Sequence, residues 1–358
     1  MKVIYTILFI GITSILYAQD IIKDTINIES NSIYIQDYKK QFNVKFDVSN
    51  DITSYKFPQE QVELNIKPNL NIKYAFVLSY KFASIRLGIR PKVSDENKKN
   101  KGDSKAFRIH FKLLFDYWSH NFEYNYDKGY YIVNTDDFNS DIPVPVSDFK
   151  IQFPDLTTNV FSGSSTYKFN ENYSVRAIES QTEIQIKSAG SFMPGIFYSF
   201  YNIKGTDKVL YPEDHTIYRD EYIDLQGFNI VLNAGYYYTF VYREYWFANA
   251  YLTPGLGIDF YKTTNYSPED ITETSFNDIN YSLSSGLGIG YNGNKIFFGA
   301  NYANRTSSER LNENKIQLQI SKNYFHIYLG YRFKAPKSVQ KSVDLIEKKI
   351  PILNEKNN

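Results

Sequence analysis

The stretch "YSLSSGLGIGY", Tyr281 to Tyr291, has two unlike faces. Odd positions carry Tyr281, Leu283, Leu287, Ile289 and Tyr291, interrupted only by Ser285. Even positions carry Ser282, Ser284, Gly286, Gly288 and Gly290. Successive side chains of a strand point to opposite faces. The stretch is therefore a strand with a large apolar face and a nearly bare one. The bare face makes room for long side chains from neighbours, for water or for a solute.

The same period of two recurs along the chain. In 69–80, Leu70, Ile72, Tyr74, Phe76, Leu78 and Tyr80 oppose Asn71, Lys73, Ala75, Val77 and Ser79. In 104–116, Phe107, Ile109, Phe111, Leu113 and Phe115 oppose Arg108, His110, Lys112, Leu114 and Asp116. In 323–333, Phe325, Ile327, Leu329, Tyr331 and Phe333 form one row. Strict alternation predicts strands. Soluble strands average roughly 5–6 residues, whereas several runs here hold the pattern for about ten, the length of a tilted membrane-crossing strand. So many long strands leave no helical layer to cover them. The expectation is a closed antiparallel transmembrane β-barrel, with its apolar rows facing lipid and its polar rows facing the lumen. A soluble periplasmic β-protein is the alternative.

Composition points the same way. Aromatic residues make up 17% of the chain, with 33 Tyr and 27 Phe. Tyr and Phe suit strands and membrane interfaces. Mean hydropathy is -0.43, and no run of 18 apolar residues exists, which excludes a bundle of membrane helices. A net charge of +1 gives no reason to expect nucleic acid. No Cys is present, so neither a disulfide nor a lipid-anchored Cys enters the reading. Residues 1–19, with Lys2 before an apolar run and small Ala18 before polar Gln19, have the layout of a signal peptide.

Strands are expected near 40–48, 69–80, 82–90, 104–116, 119–132, 155–169, 189–203, 226–240, 246–261, 278–291, 295–304 and 323–333. That count is about twelve, within a range of ten to fourteen. Tight connections at Lys81-Phe82, Asp116–Ser119, Val241–Tyr245 and "NGN" 292–294 alternate with long polar ones at 49–68, 91–103, 133–154, 204–225, 262–277 and 305–322. Bacterial barrels place short turns in the periplasm and long loops outside. The expected layout is a periplasmic segment 20–39, a barrel 40–334 and a periplasmic tail 335–358. Segment 171–187 reads either as a turn with a short helix or as a further strand.

A series of motifs resembles a known family: "KGYYIVN" (128–134), "FPDL" (153–156), "YKFN" (167–170), "KSAGSFMPG" (187–195), "LTPGLG" (252–257) and "GYRFKAPK" (330–337). It is similar to a family of Gram-negative outer-membrane β-barrels known as a domain of unknown function. The resemblance spans about 40–337 and implies an outer-membrane barrel. It brings no ligand or catalytic residue. The aromatic strand 323–333 looks like the segment that barrel-assembly machinery reads. Outer-membrane lipid and lipopolysaccharide are the other expected partners.

A charge on the lipid face at mid-depth costs about 2–4 kcal/mol, so charges belong inside. Alternation puts Lys73, Arg86, Arg90, Arg108, His110, Lys112, Asp116, Glu123, Asp259, Arg305, His326 and Arg332 in the lumen. They could form an anion-attracting lining or a closed Arg–carboxylate network, since about twelve strands enclose little space. An acyl hydrolase would need a Ser, a His and an orienting group. Ser119-His120 is the one neighbouring Ser-His pair, and neighbours in a strand point apart, so no catalytic residue is expected. Asp136, Asp137, Asn139 and Asp141 lack the Gly and Glu of a Ca²⁺ loop, and no metal or cofactor is expected. The function expected is an outer-membrane barrel that is structural or a narrow channel, with a lipid-modifying enzyme as the alternative.

Overall fold

Twelve strands pair antiparallel in sequence order, and the last closes onto the first. They are β1 (Gln41–Pro58), β2 (Lys73–Tyr80), β3 (Ala83–Ile89), β4 (Lys105–Leu114), β5 (Trp118–Ile132) and β6 (Gln152–Tyr167). Then follow β7 (Ala189–Lys204), β8 (Tyr222–Tyr242), β9 (Trp246–Tyr266), β10 (Ile271–Asn292), β11 (Ile296–Glu309) and β12 (Gln319–Lys334). This computed structural model describes residues 33–58, 63–70, 72–89, 92–138, 148–211, 216–218, 222–309 and 319–349. The expected leader, 1–19, lies outside them.

The outer face follows the alternation. On β12, Phe325, Ile327, Leu329 and Tyr331 are exposed, while His326, Tyr328 and Arg332 are buried. On β10, Leu287 and Ile289 are each 64% exposed. Similar rows run round the ring, from Phe46 and Phe76 through Leu232, Leu252 and Leu256 to Phe298. Half-exposed Phe122, Tyr124 and Phe161 continue the rows across β5 and β6. A soluble sheet would turn its outward rows polar. A continuous apolar belt of this size is what a membrane barrel presents to lipid.

One end of the ring carries the tight turns, at 81–82, 115–117, 243–245 and 293–295. The three-residue β8–β9 turn takes positive φ at its first two residues, Arg243 (50°) and Glu244 (64°). The other end carries the long connections. Several strands extend into what was expected to be loop. Residues 262–266 and 271–277 stay paired as the tips of β9 and β10, leaving a connection of only 267–270. Above short β2, β3 and β4, residues Glu63–Lys67 form a bridging strand paired to β1 and β5. A helix, α1 (Asp95–Lys101), joins β3 to β4, N-capped by Ser94. Segment 152–167 alternates poorly but is held by neighbours on both sides.

The bare face of β10 is filled by its neighbours' side chains. A Cβ on Gly286 would overlap the Tyr251 ring of β9, and one on Gly288 would overlap Asn249 and Asn301. The small residues exist because larger ones lie across them. Toward the loop end the interior packs an apolar core of Tyr55, Leu156, Tyr201 and Ile203, with Tyr130, Ile132 and Phe153. Tyr55 shares its strand face with Asp47, and Tyr201 shares its face with Phe197.

The barrel unit spans Ile33–Phe333. In the second unit, a helix, α3 (Lys337–Lys349), covers most of the expected tail and ends on Lys348 and Lys349, the sign that suits a helix C-terminus.

Candidate functional site

The connection from β6 to β7 holds the short helix of one of its two expected forms and is not a further barrel strand. Residues 170–187 fold back into the turn end of the barrel as a plug. It holds a short helix, α2 (Val175–Glu179), capped by Ser174, and a strand, Glu183–Gln185, that pairs with Ile35–Asp37 of the N-terminal segment. Arg176, Ala177, Gln181, Thr182 and Ile184 are buried.

Plug carbonyls are held by donors from the wall. Asn43 of β1 donates to the carbonyls of Ser180 (3.0 Å) and Gln181 (2.7 Å). Asn292 of β10 donates to those of Ala177 and Glu183, each at 3.1 Å. Arg332 of β12 donates from Nε (2.9 Å) and Nη2 (2.6 Å) to the Gln181 carbonyl. Its ring partners are Tyr38 and Phe297. Arg176 reaches from the plug to the Leu114 carbonyl of β4 at 2.7 Å. In a ring of twelve, β4 and β10 stand opposite, so the plug spans the mouth from wall to wall.

An ion cluster latches it. Arg176 lies 2.6 Å from Asp116 and 3.0 Å from Glu183, and Lys39 lies 3.2 Å from Asp116 and 3.6 Å from Glu183. Burial by itself raises the Glu183 pKa, but the charges of Arg176 and then Lys39 outweigh it and hold the carboxyl below its ordinary value. The same balance holds half-exposed Asp116 below the usual carboxylate range. The motifs "YKFN" and "KSAGS" bracket the plug and bond to each other. Ser191 Oγ accepts the backbone N–H groups of Phe169 and Asn170 at 3.1 and 3.0 Å, and Asn170 donates to the Gly190 carbonyl at 2.7 Å. Lys168 donates to the Tyr173 carbonyl at 2.6 Å, and burial lowers its pKa to about 8.

Above the plug lies a cavity of 380 Å³ with Ile178 and Glu179 of α2 among its lining residues. One wall is a chain of ion pairs. Arg86 donates to Asp47 at 2.7 Å and to Ser49 at 2.8 Å. His326 Nδ1 contacts the other Asp47 oxygen, and its Nε2 lies 2.9 Å from Asn301. His110 Nε2 lies 2.6 Å from Glu123, which also meets Lys322. Lys112 pairs with Glu179, and Arg108 pairs with Asp127 at 3.1 Å. The facing wall is aromatic. The Tyr237 and Tyr251 rings stack at 4.8 Å and 15°, and the Arg305 guanidinium lies 3.2 Å from the centroid of Phe197.

Seven of the twelve expected lumenal residues line this cavity: Arg86, Arg108, His110, Lys112, Glu123, Arg305 and His326. The others do not. β4 ends at Leu114, so Asp116 sits in the turn and latches the plug. Arg332 also holds the plug. Asp259 is buried in contact with Asn280, which donates to it at 2.8 Å. Lys73 is buried at the start of β2, away from the cavity. Arg90 lies outside the described residues, as do Asn139 and Asp141. Lys45, Asp47, Glu179 and Lys322 are further lining charges, outside the expected set. Alternation carried the signal for the first two, since Asn43, Lys45 and Asp47 interleave with Phe42, Val44 and Phe46.

His120 does find a serine, but across strands: its Nδ1 lies 2.9 Å from Ser165 Oγ, its register partner on β6. Nε2 has no hydrogen-bond partner among the described residues, and the ring lies between Phe115 and Trp118. Without a group to orient the imidazole, the pair is not a hydrolytic triad.

A family model described as a domain of unknown function, DUF4421, matches residues 24–333. No curated protein matches the chain. Among solved structures the chain is similar to the outer membrane protease OmpT from Escherichia coli, at 10% identity and TM-score 0.40, covering 85% of this chain and 100% of that one. It is also similar to the translocator domain of the autotransporter NalP from Neisseria meningitidis (9%, TM-score 0.35, 92% and 98% covered). The toluene transporter TodX of Pseudomonas putida matches at 8% and TM-score 0.28, with 85% and 90% covered.

Proposed function

The chain belongs to the DUF4421 family, and for this member of it we propose an outer-membrane barrel that acts as a narrow channel held shut by its own plug. The tight turns and the plug face the periplasm, and the long connections face outward. The signal peptide delivers the chain, and the aromatic row of β12 serves assembly. Lipid and lipopolysaccharide contact the outer belt.

The plug carries this reading. Twelve strands fall between the roughly eight that side chains alone can fill and the sixteen or more that leave an open channel. The space left over at the turn end is taken by a covalently tethered segment, and its tether allows withdrawal without unfolding the wall. The charged cavity above it is polar enough to hold water and solute.

Planar-bilayer recording tests the gate. Wild type is expected to stay closed for most of the record. A variant with residues 171–186 replaced by a short Gly-Ser linker is expected to give sustained current steps. A linker variant that is folded but silent would overturn the channel, and wild type conducting as well as the variant would overturn the plug as its gate. Fractionation tests the location: recovery in the soluble periplasm, with gel migration unchanged by boiling, would overturn it.

A further inference from the structure

We propose that the lumenal cavity binds a small organic anion with a carboxylate head and a flat apolar body, and that Arg305 holds the carboxylate.

The cavity has an excess of positive charge. Lys45, Arg86, Arg108, Lys112, Arg305 and Lys322 line it against Asp47, Glu123 and Glu179. Most of these cations are committed. Arg86 is bound to Asp47, Arg108 to Asp127, Lys112 to Glu179 and Lys322 to Glu123. Lys45 donates to the Gln181 side chain at 3.0 Å. Among the described residues, Arg305 alone of this set has no hydrogen-bond or ion-pair partner. Its guanidinium lies over the Phe197 ring.

That contact matters chemically. A guanidinium stacked on an aromatic face keeps its edge free, and the edge carries the N–H fork that fits a carboxylate bidentately. Contact with the ring also restricts the guanidinium in advance, so less freedom is lost on binding. Space beside it comes from β10, where small Ser284 stands opposite Arg305 in register. Around the fork are Phe197 and the stacked Tyr237–Tyr251 pair, a surface for a flat body rather than for a second charge. Phosphate would want a further uncommitted cation, and Lys322, the register partner on β12, is already on Glu123. At 380 Å³ the cavity stands near the lower end of ligand pockets, roughly 300–1,000 Å³.

The inference requires the closed barrel but not an opening plug. It is therefore tested with full-length protein in detergent, by calorimetric titration with benzoate, benzamide and inorganic phosphate. Benzoate is expected to bind wild type, with benzamide and phosphate at least about tenfold weaker. Arg305→Gln is expected to weaken benzoate at least about tenfold, and Phe197→Leu to weaken it less. The exposed control Lys105→Gln is expected to leave binding unchanged. Retained heat-modifiable migration shows that each variant is folded. Absence of benzoate binding to wild type, equal binding of benzamide or phosphate, or undiminished binding to folded Arg305→Gln would each overturn the proposal. A barrel silent in bilayers that still binds benzoate would sink the channel and leave this site standing.

Discussion

The turn end and the middle of this barrel face one problem, a space too wide for wall side chains, and meet it differently. At the turn end, side chains of the wall donate to backbone carbonyls of a tethered plug. In the middle, wall side chains pair with one another, as Asp47 does with Arg86 and His326, and a cavity remains. A backbone plug can leave and return as a unit. A mesh of ion pairs belongs to the wall and goes only if the wall goes. Damage at the turn end should therefore appear as leakage, and damage in the middle as instability.

The sharpest break of that contrast pairs two substitutions. Asp47→Ala removes a fully buried carboxylate and with it the anion that balances Arg86. Breaking a buried pair costs about 3–5 kcal/mol, so the urea midpoint of the heat-modifiable form should fall well below wild type. Arg332→Ala removes the plug's guanidinium clamp. It should raise open probability in bilayers with a smaller fall in that midpoint. Equal losses of stability with no change in conductance would show the plug to be as structural as the wall.

The next largest effect belongs to the outer face. Leu287→Arg places a charge on the lipid side, at a cost of about 2–4 kcal/mol near mid-depth. Charge reversal inside, Arg305→Glu, should be milder for folding because the lumen is polar. Gly286→Ala comes next. Its new methyl would meet the Tyr251 ring, and overpacking costs about 1–3 kcal/mol. In a Tyr251→Ala background, itself destabilised by loss of the ring, the same Gly286→Ala change should cost little. An additive double variant would show that Tyr251 is not what requires the glycine.

These positions also show what the sequence could and could not disclose. The two faces of β10 are legible from residues 281–291 because period two is a local property. What fills the bare face is not, since Tyr251 reaches Gly286 only through the β9–β10 register. Asp47 and His326 are 279 positions apart and meet only because β12 closes onto β1. The plug was the least legible element. Its helix has five residues and its strand three, too short for any period to show. Its stability comes from wall donors on four different strands.

The smallest expected effect is on pH, and it bears on the latch alone. Glu183 has a pKa below its ordinary 4.5 when the plug is docked, and released into water it would return toward that value. The docked state thus binds fewer protons, and the stabilisation is complete above about pH 4.5 and drains away as pH falls further. Lys168 works in the same direction at the other end. Burial lowers it from 10.5 to about 8, so its docking penalty is full below about pH 8 and fades as pH rises toward 10.5. Docking should therefore tighten monotonically with pH. Bilayer recordings should show open probability rising several-fold from pH 7 to pH 3.5 in wild type. Glu183→Gln should raise the openings at pH 7 and shrink the acid limb to the part that Asp116, the second carboxylate of the latch, contributes. A flat wild-type profile between pH 7 and 3.5 would mean that the wall side chains donating to plug carbonyls hold the plug by themselves and that the Arg176–Glu183 contact contributes nothing to the gate.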